Sequence, residues 1–72
     1  MKRAIVADCY VGKINRKDKD TYDNYMYLKT DNRWWYRADG AKKLSNDKAD
    51  EIIKRGEKRD GDVFIYRKFP AN

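Results

Sequence analysis

The side chains available for chemistry in this chain are carboxylates, lysines and a single thiol. Its 72 residues include no histidine, which removes the commonest general base and the base of the usual nucleophilic triads. Acid–base work would fall to carboxylates, but Asp8, Asp39, Asp60 and Asp62 sit at strand or turn positions that water reaches, and no spacing singles out two carboxyls of opposed roles. Asp18, Asp20 and Asp23 resemble the start of a calcium loop. An EF-hand begun at Asp18 would need glycine where Asp23 stands and glutamate where Lys29 stands, so a hydrated loop is expected instead. Gly40-Ala41-Lys42-Lys43-Leu44-Ser45 places glycine and lysine before a helix start, yet it lacks the second glycine and the adjacent Lys-Ser of a phosphate loop. Lys42, Lys43 and the helix N-terminus could hold one phosphate at most. Cys9 falls in an apolar alternation, the setting of a small buried hydrophobe. No catalytic residue, no metal site and no cofactor are expected.

What the sequence has in excess is rings and cations. Ten of the 72 residues are Phe, Trp or Tyr, and 18 Lys and Arg against 12 Asp and Glu leave a net charge of +6. A positive balance favours phosphate-rich or acidic partners. Much of the charge nevertheless alternates in sign, as in Arg16-Lys17-Asp18-Lys19-Asp20, the pattern of a solvated loop rather than a polybasic arm.

The elements that must position these groups can be read from the periodicity. Between Arg3 and Ile14, Ile5, Ala7, Cys9 and Val11 alternate with Asp8, Tyr10 and Gly12, which predicts a half-buried strand. A polar stretch over 15–23 breaks the pattern. Tyr25 and Tyr27 then alternate with Met26 and Leu28 in a second strand over 24–30, and a third runs from Arg33 to Ala38. With Asp31-Asn32 as a two-residue turn, the strands pair as a hairpin in which Leu28 faces Trp35, Tyr27 faces Tyr36 and Lys29 faces Trp34. That register predicts one face with Met26, Leu28 and Trp35, the last under a helix, and another with Tyr25, Tyr27, Lys29, Trp34 and Tyr36.

Ser45 is the expected N-cap, Asp47 suits the first turn, and Leu44 could staple onto Ala49. Ala49, Ile52 and Ile53 recur at helical spacing, and Gly56 occupies the expected C-cap with Lys54 and Arg55 before it. After the Asp60-Gly61 turn, Val63 to Phe69 predicts a last strand ended by Pro70. The expected fold is α+β, a small and mostly antiparallel sheet of four strands in the order β-β-β-α-β with one short helix on one face, as a single domain over 1–72.

A chain this short draws limited stability from its core, and one cysteine with no histidine offers neither an internal disulfide nor an ordinary zinc site, which leaves a homodimer as a possible supplement, the oligomeric state itself not being legible in the sequence. The lone thiol suits a reducing cytoplasm. The apolar stretch after Met1-Lys2-Arg3 breaks at Asp8, too soon for a signal core, and no segment reaches the length of a membrane helix.

One short helix cannot cover so many rings, so the surplus is expected to meet a partner. The candidate surface comprises Tyr25, Tyr27, Lys29, Arg33, Trp34, Tyr36, Arg37, Arg67 and Lys68. Docking on a host or mobile-element protein is the leading expectation, because Tyr, Trp and Arg dominate interface hot spots. The alternative is a single-stranded DNA or RNA module, with bases on the rings and phosphates on the cations. Arg33 to Gly40 does not match the glycine and aromatic spacing of the RNA-recognition sheet motif. In size and composition the whole chain resembles the non-catalytic accessory and inhibitor proteins of bacteriophages and other mobile elements, anti-CRISPR proteins among them. That resemblance rests on no motif.

Overall fold

A computed structural model describes residues 8–71 of the chain. Ile5 and Ala7, expected in the first strand, lie outside the described residues. The element order is as expected: β1 (Cys9–Asn15), β2 (Met26–Leu28), β3 (Trp34–Tyr36), α1 (Asn46–Asp60) and β4 (Phe64–Pro70), with a 3-10 turn at Tyr22–Asn24 inside the first polar loop. The strands form one antiparallel sheet in the order β3-β2-β1-β4, so the last strand lies beside the first.

The two faces of this sheet are covered by different means. On one face α1 lies over β1 and β4, and Cys9, Val11, Leu28, Leu44, Ala49 and Tyr66 form a buried core edged by Trp34, Ile52, Ile53 and Phe64. The strand period puts Cys9 and Val11 there together, and the helical period brings Ala49, Ile52 and Ile53 down to meet them. The other face has no helix. Ile14, Tyr25, Tyr27 and Phe69 are buried on it, flanked by Tyr10 and Ala41. Phe69 stacks on Tyr10 at a centroid distance of 5.4 Å and meets the rings of Tyr25 and Tyr27 edge-on at 5.3 and 5.6 Å. Each such pair contributes about 0.5–1.5 kcal/mol beyond the area it buries.

Gly12 allows these rings to converge. A Cβ at this position would lie 2.9 Å from Cε2 of Phe69 and 3.1 Å from two ring carbons of Tyr27, so any larger residue would lift them off β1. The polar loop closes the same core from outside. The Tyr25 hydroxyl donates to Oδ1 of Asp20 at 2.7 Å, and Arg67 donates to Oδ2 of that carboxylate at 3.1 Å. Asp20 is thus a latch between loop and sheet.

The helix begins as expected and ends later. Ser45 Oγ accepts from the amide of Lys48 at 3.3 Å, and Leu44 shares a core cluster with Ala49 across the cap. Gly56 does not end the helix: α1 continues to Asp60, and Gly61, with φ of 61°, is the C-cap, its N–H reaching the Glu57 carbonyl at 2.9 Å. Gly56 is buried and faces β4, where an added Cβ would stand 2.6 Å from both Cε2 and the hydroxyl of Tyr66. Its role is close approach of helix to sheet rather than termination.

The segment before the helix also joins the sheet. Ala41 bridges to Lys29 and Leu44 bridges to Cys9, wedging 41–44 between the splayed ends of β1 and β2. Both outer strands are blunted. β3 is three residues long and lies between Asn32 and Arg37, both at positive φ, while β4 finishes on a proline.

Replacing Gly56 by alanine should lower stability even though alanine favours the helix by about 1 kcal/mol. Overpacking against Tyr66 costs about 1–3 kcal/mol. Urea unfolding of Gly56→Ala should therefore show a lower midpoint; an unchanged or raised midpoint would mean that the ring is not seated against this glycine.

Candidate binding surface

The hairpin sets the surface, and its turn is one residue longer than expected. Lys29 N–H donates to the Arg33 carbonyl at 2.8 Å, Asn32 N–H returns to Lys29 at 2.8 Å, and the Asp31 carboxylate accepts from the Arg33 amide at 3.1 Å. Thr30-Asp31-Asn32 is the loop, with Asn32 at φ of 67°. Asparagine tolerates that left-handed conformation better than most residues.

This one-residue change corrects the expected register. Leu28 pairs with Trp34, Tyr27 with Trp35 and Met26 with Tyr36. A slip of one position exchanges the faces, so Trp34, not Trp35, goes to the helix side, where it meets Tyr66 edge-on at 5.8 Å. Trp35 is instead 64% exposed, and beside it Tyr36 is 42% exposed, the two rings 5.3 Å apart.

The expected surface therefore does not form as one patch. Tyr25 and Tyr27 are only 2% and 1% exposed, sequestered in the ring-lined core, and leave the candidate surface. Arg67 and Lys68 sit on β4, at the far edge of the sheet from the hairpin. Arg67 is engaged by Asp20, and Lys68 pairs with Asp50 at 2.8 Å and donates to Asn46 at 3.2 Å, tying β4 to the loop and the helix. Lys29, Arg33, Trp34, Tyr36 and Arg37 do come together around the hairpin. Trp35 joins them, and the signal for it was the third loop residue, Asn32, suited to the left-handed close of a three-residue turn.

The cations of this region have distinct roles. Lys29 Nζ donates to the carbonyls of Arg37 and Asp39, bracing the chain where Arg37 takes φ of 71°. Arg37 contacts Asp39 at 3.1 Å, but both side chains are open to water, so the pair contributes little. Lys42 donates to Asn32 Oδ1 at 2.7 Å. Arg33 is exposed and forms no ion pair among the described residues. From Lys29 to Lys43 there are five basic residues (Lys29, Arg33, Arg37, Lys42, Lys43) and two acidic ones (Asp31, Asp39), an excess of three positive charges, whereas α1 carries five of each sign. The positive excess is concentrated beside the exposed rings.

A second cluster lies beneath the helix end. Lys13 Nζ stands 4.7 Å from the Trp34 ring centroid and 4.6 Å from that of Phe64, with Tyr66 at 6.0 Å, an internal cation held among rings. Burial pulls its ammonium below the usual lysine range, and Asp60 opposes that shift. The Tyr66 hydroxyl donates to Asp60, which holds this carboxyl below its ordinary value, with Arg59 adding to the effect. Burial first, then this hydrogen bond, pushes Tyr66 up to about 12. These groups stitch helix to sheet. Burial also raises the Cys9 thiol, the reverse of what a reactive thiolate needs. Among the described residues no group of three or more carboxylates and thiols could hold a metal ion, and no helix is long and apolar enough to cross a membrane.

Comparison of the chain with protein-family models, with curated proteins and with solved structures finds no match in any of the three. The functional reading rests on the chemistry of the surface.

Tyr25, like Tyr66, is raised to about 12, by burial and then by its bond to Asp20. Both phenols bind their protons more tightly folded than unfolded, so their contribution to stability is intact below pH of about 10 and drains away as pH rises toward 12. Thermal unfolding followed against pH should show this loss, and absorbance of tyrosinate should show a late-titrating set. Uniform titration of all the tyrosines near pH 10 would contradict the burial described.

Proposed function

We propose that this chain is a non-catalytic binding protein, of inhibitor or accessory type, that docks on a host protein or a protein–nucleic acid complex through the β2–β3 hairpin. The observation that carries this reading is the pairing of exposed Trp35 and Tyr36 with the local positive excess of Lys29, Arg33, Arg37, Lys42 and Lys43. Ring surface held in water by a fixed backbone is costly for a folded chain and is recovered when a partner covers it. The surrounding cations favour an acidic or phosphate-bearing partner surface. A buried, unreactive thiol suits a reducing cytoplasmic setting.

Absence of histidine supports the non-catalytic reading, as does the use of the two phenols raised furthest, Tyr25 and Tyr66, as structural ties to Asp20 and Asp60. Affinity capture from host lysate should recover a partner with the wild-type chain and lose most of it with Trp35→Ala, Tyr36→Ala, while far-ultraviolet circular dichroism stays unchanged. Equal recovery of every partner by both proteins would end the proposal.

A further inference from the structure

Resting on that docking reading, we infer that the element the hairpin contacts is single-stranded nucleic acid. Between Lys29 and Lys43 the apolar side chains are Trp34, Trp35, Tyr36, Ala38 and Ala41, and from β2 the half-buried Met26 pairs with Tyr36. The large aliphatic side chains left in water, Val63 and Ile65, lie at the other edge of the sheet, around the start of β4. A protein-binding hot spot is normally seated in a well-packed, desolvated patch. Rings flanked by cations, as in Arg33-Trp34-Trp35-Tyr36-Arg37, are instead what bases and phosphates require: a π face for each base and a positive charge for the backbone beside it.

Geometry supports the same occupant. A shallow groove beside the Trp35 ring is lined by Lys29, Arg33, Trp34 and Trp35, with Thr30 and Gly40, and it also carries the carboxylates of Asp31 and Asp39, of which Asp31 is turned back to the Arg33 amide and Asp39 to the Arg37 guanidinium. It joins the exposed indole to the guanidinium of Arg33, which forms no ion pair among the described residues. Trp34 is half-buried against Tyr66 and Lys13, so the backbone that presents Trp35 is anchored before any ligand arrives. A duplex suits the surface poorly. β3 is three residues long and α1 is charge-balanced, so neither offers a basic helix or long ribbon for a major groove.

The test uses the full chain and short, dye-labelled oligothymidine and oligouridine, read by fluorescence anisotropy, with a duplex and a polyglutamate peptide as competing polyanions. Strand binding should weaken with salt at a log–log slope of about −2 to −3, as three or four phosphate contacts dictate. Trp35→Ala should weaken binding by about 5- to 150-fold, the loss expected for one stacked base, while Trp35→Phe retains most of it. Arg33→Glu should weaken binding and flatten the salt dependence, and an unchanged urea midpoint in each variant would show that folding is not the cause.

Three results would overturn the inference: no strand binding at low salt, competition by polyglutamate as effective as by single strands, or equal affinity in wild type and Trp35→Ala. Nuclease treatment of the lysate before affinity capture separates this inference from the reading beneath it. A Trp35-dependent partner that survives nuclease, with no strand binding, sinks the nucleic-acid inference and leaves docking standing; loss of Trp35 dependence with no strand binding removes both.

Discussion

Gly12 is the point on which the rest of the molecule turns. β1 is the strand that both halves of the sheet share, and on the face without a helix its missing side chain lets Phe69 and Tyr27 close over the backbone. A small sheet with one helix has an exposed side by construction, and water on that side would leave too little buried area to hold the chain together. Here the uncovered side is filled by rings packed on one another and sealed by a polar loop. Both faces of β1 are thereby covered by residues of the same chain.

A division of labour among the aromatic residues follows. Tyr10, Tyr25, Tyr27 and Phe69 act as the cover that a second layer would otherwise supply, and Phe64, Tyr66 and Trp34 complete the helix side around the ammonium of Lys13. Three rings are turned outward: Tyr22, on the loop where it leans on Phe69, and Trp35 and Tyr36 together at the hairpin. Its turn is held by backbone bonds, by Lys29 against two carbonyls and by Lys42 against Asn32, so the exposed rings stand on a braced support.

How far the sequence disclosed this depended on whether a signal was local. Element order, the apolar alternation at Cys9 and Val11, and the cap at Ser45 were legible because each is decided by neighbours within a turn or a strand. Gly56 was misread for a related reason. Glycine before a charged stretch is the ordinary mark of a helix end, and only the Tyr66 ring, ten positions away in sequence but adjacent in space, explains its place in mid-helix. The hairpin register was missed by one residue because Asp31-Asn32 suits a two-residue turn and Thr30 looks equally at home in a strand. Burial of Tyr25 and Tyr27 was invisible because it depends on a charged loop acting as a lid, and the latch for that lid is Asp20, which in sequence reads as one more solvated carboxylate.

The adjacent indoles at 34 and 35 stand in unlike surroundings, one pressed against a ring and an ammonium inside the fold and the other facing solvent. A single dipeptide thus carries two optical reporters. Emission from the shielded indole follows the integrity of the helix-side core, whereas quenching of the outward one follows whatever covers the hairpin, so loss of folding and occupancy of the surface can be separated by wavelength in one unlabelled sample.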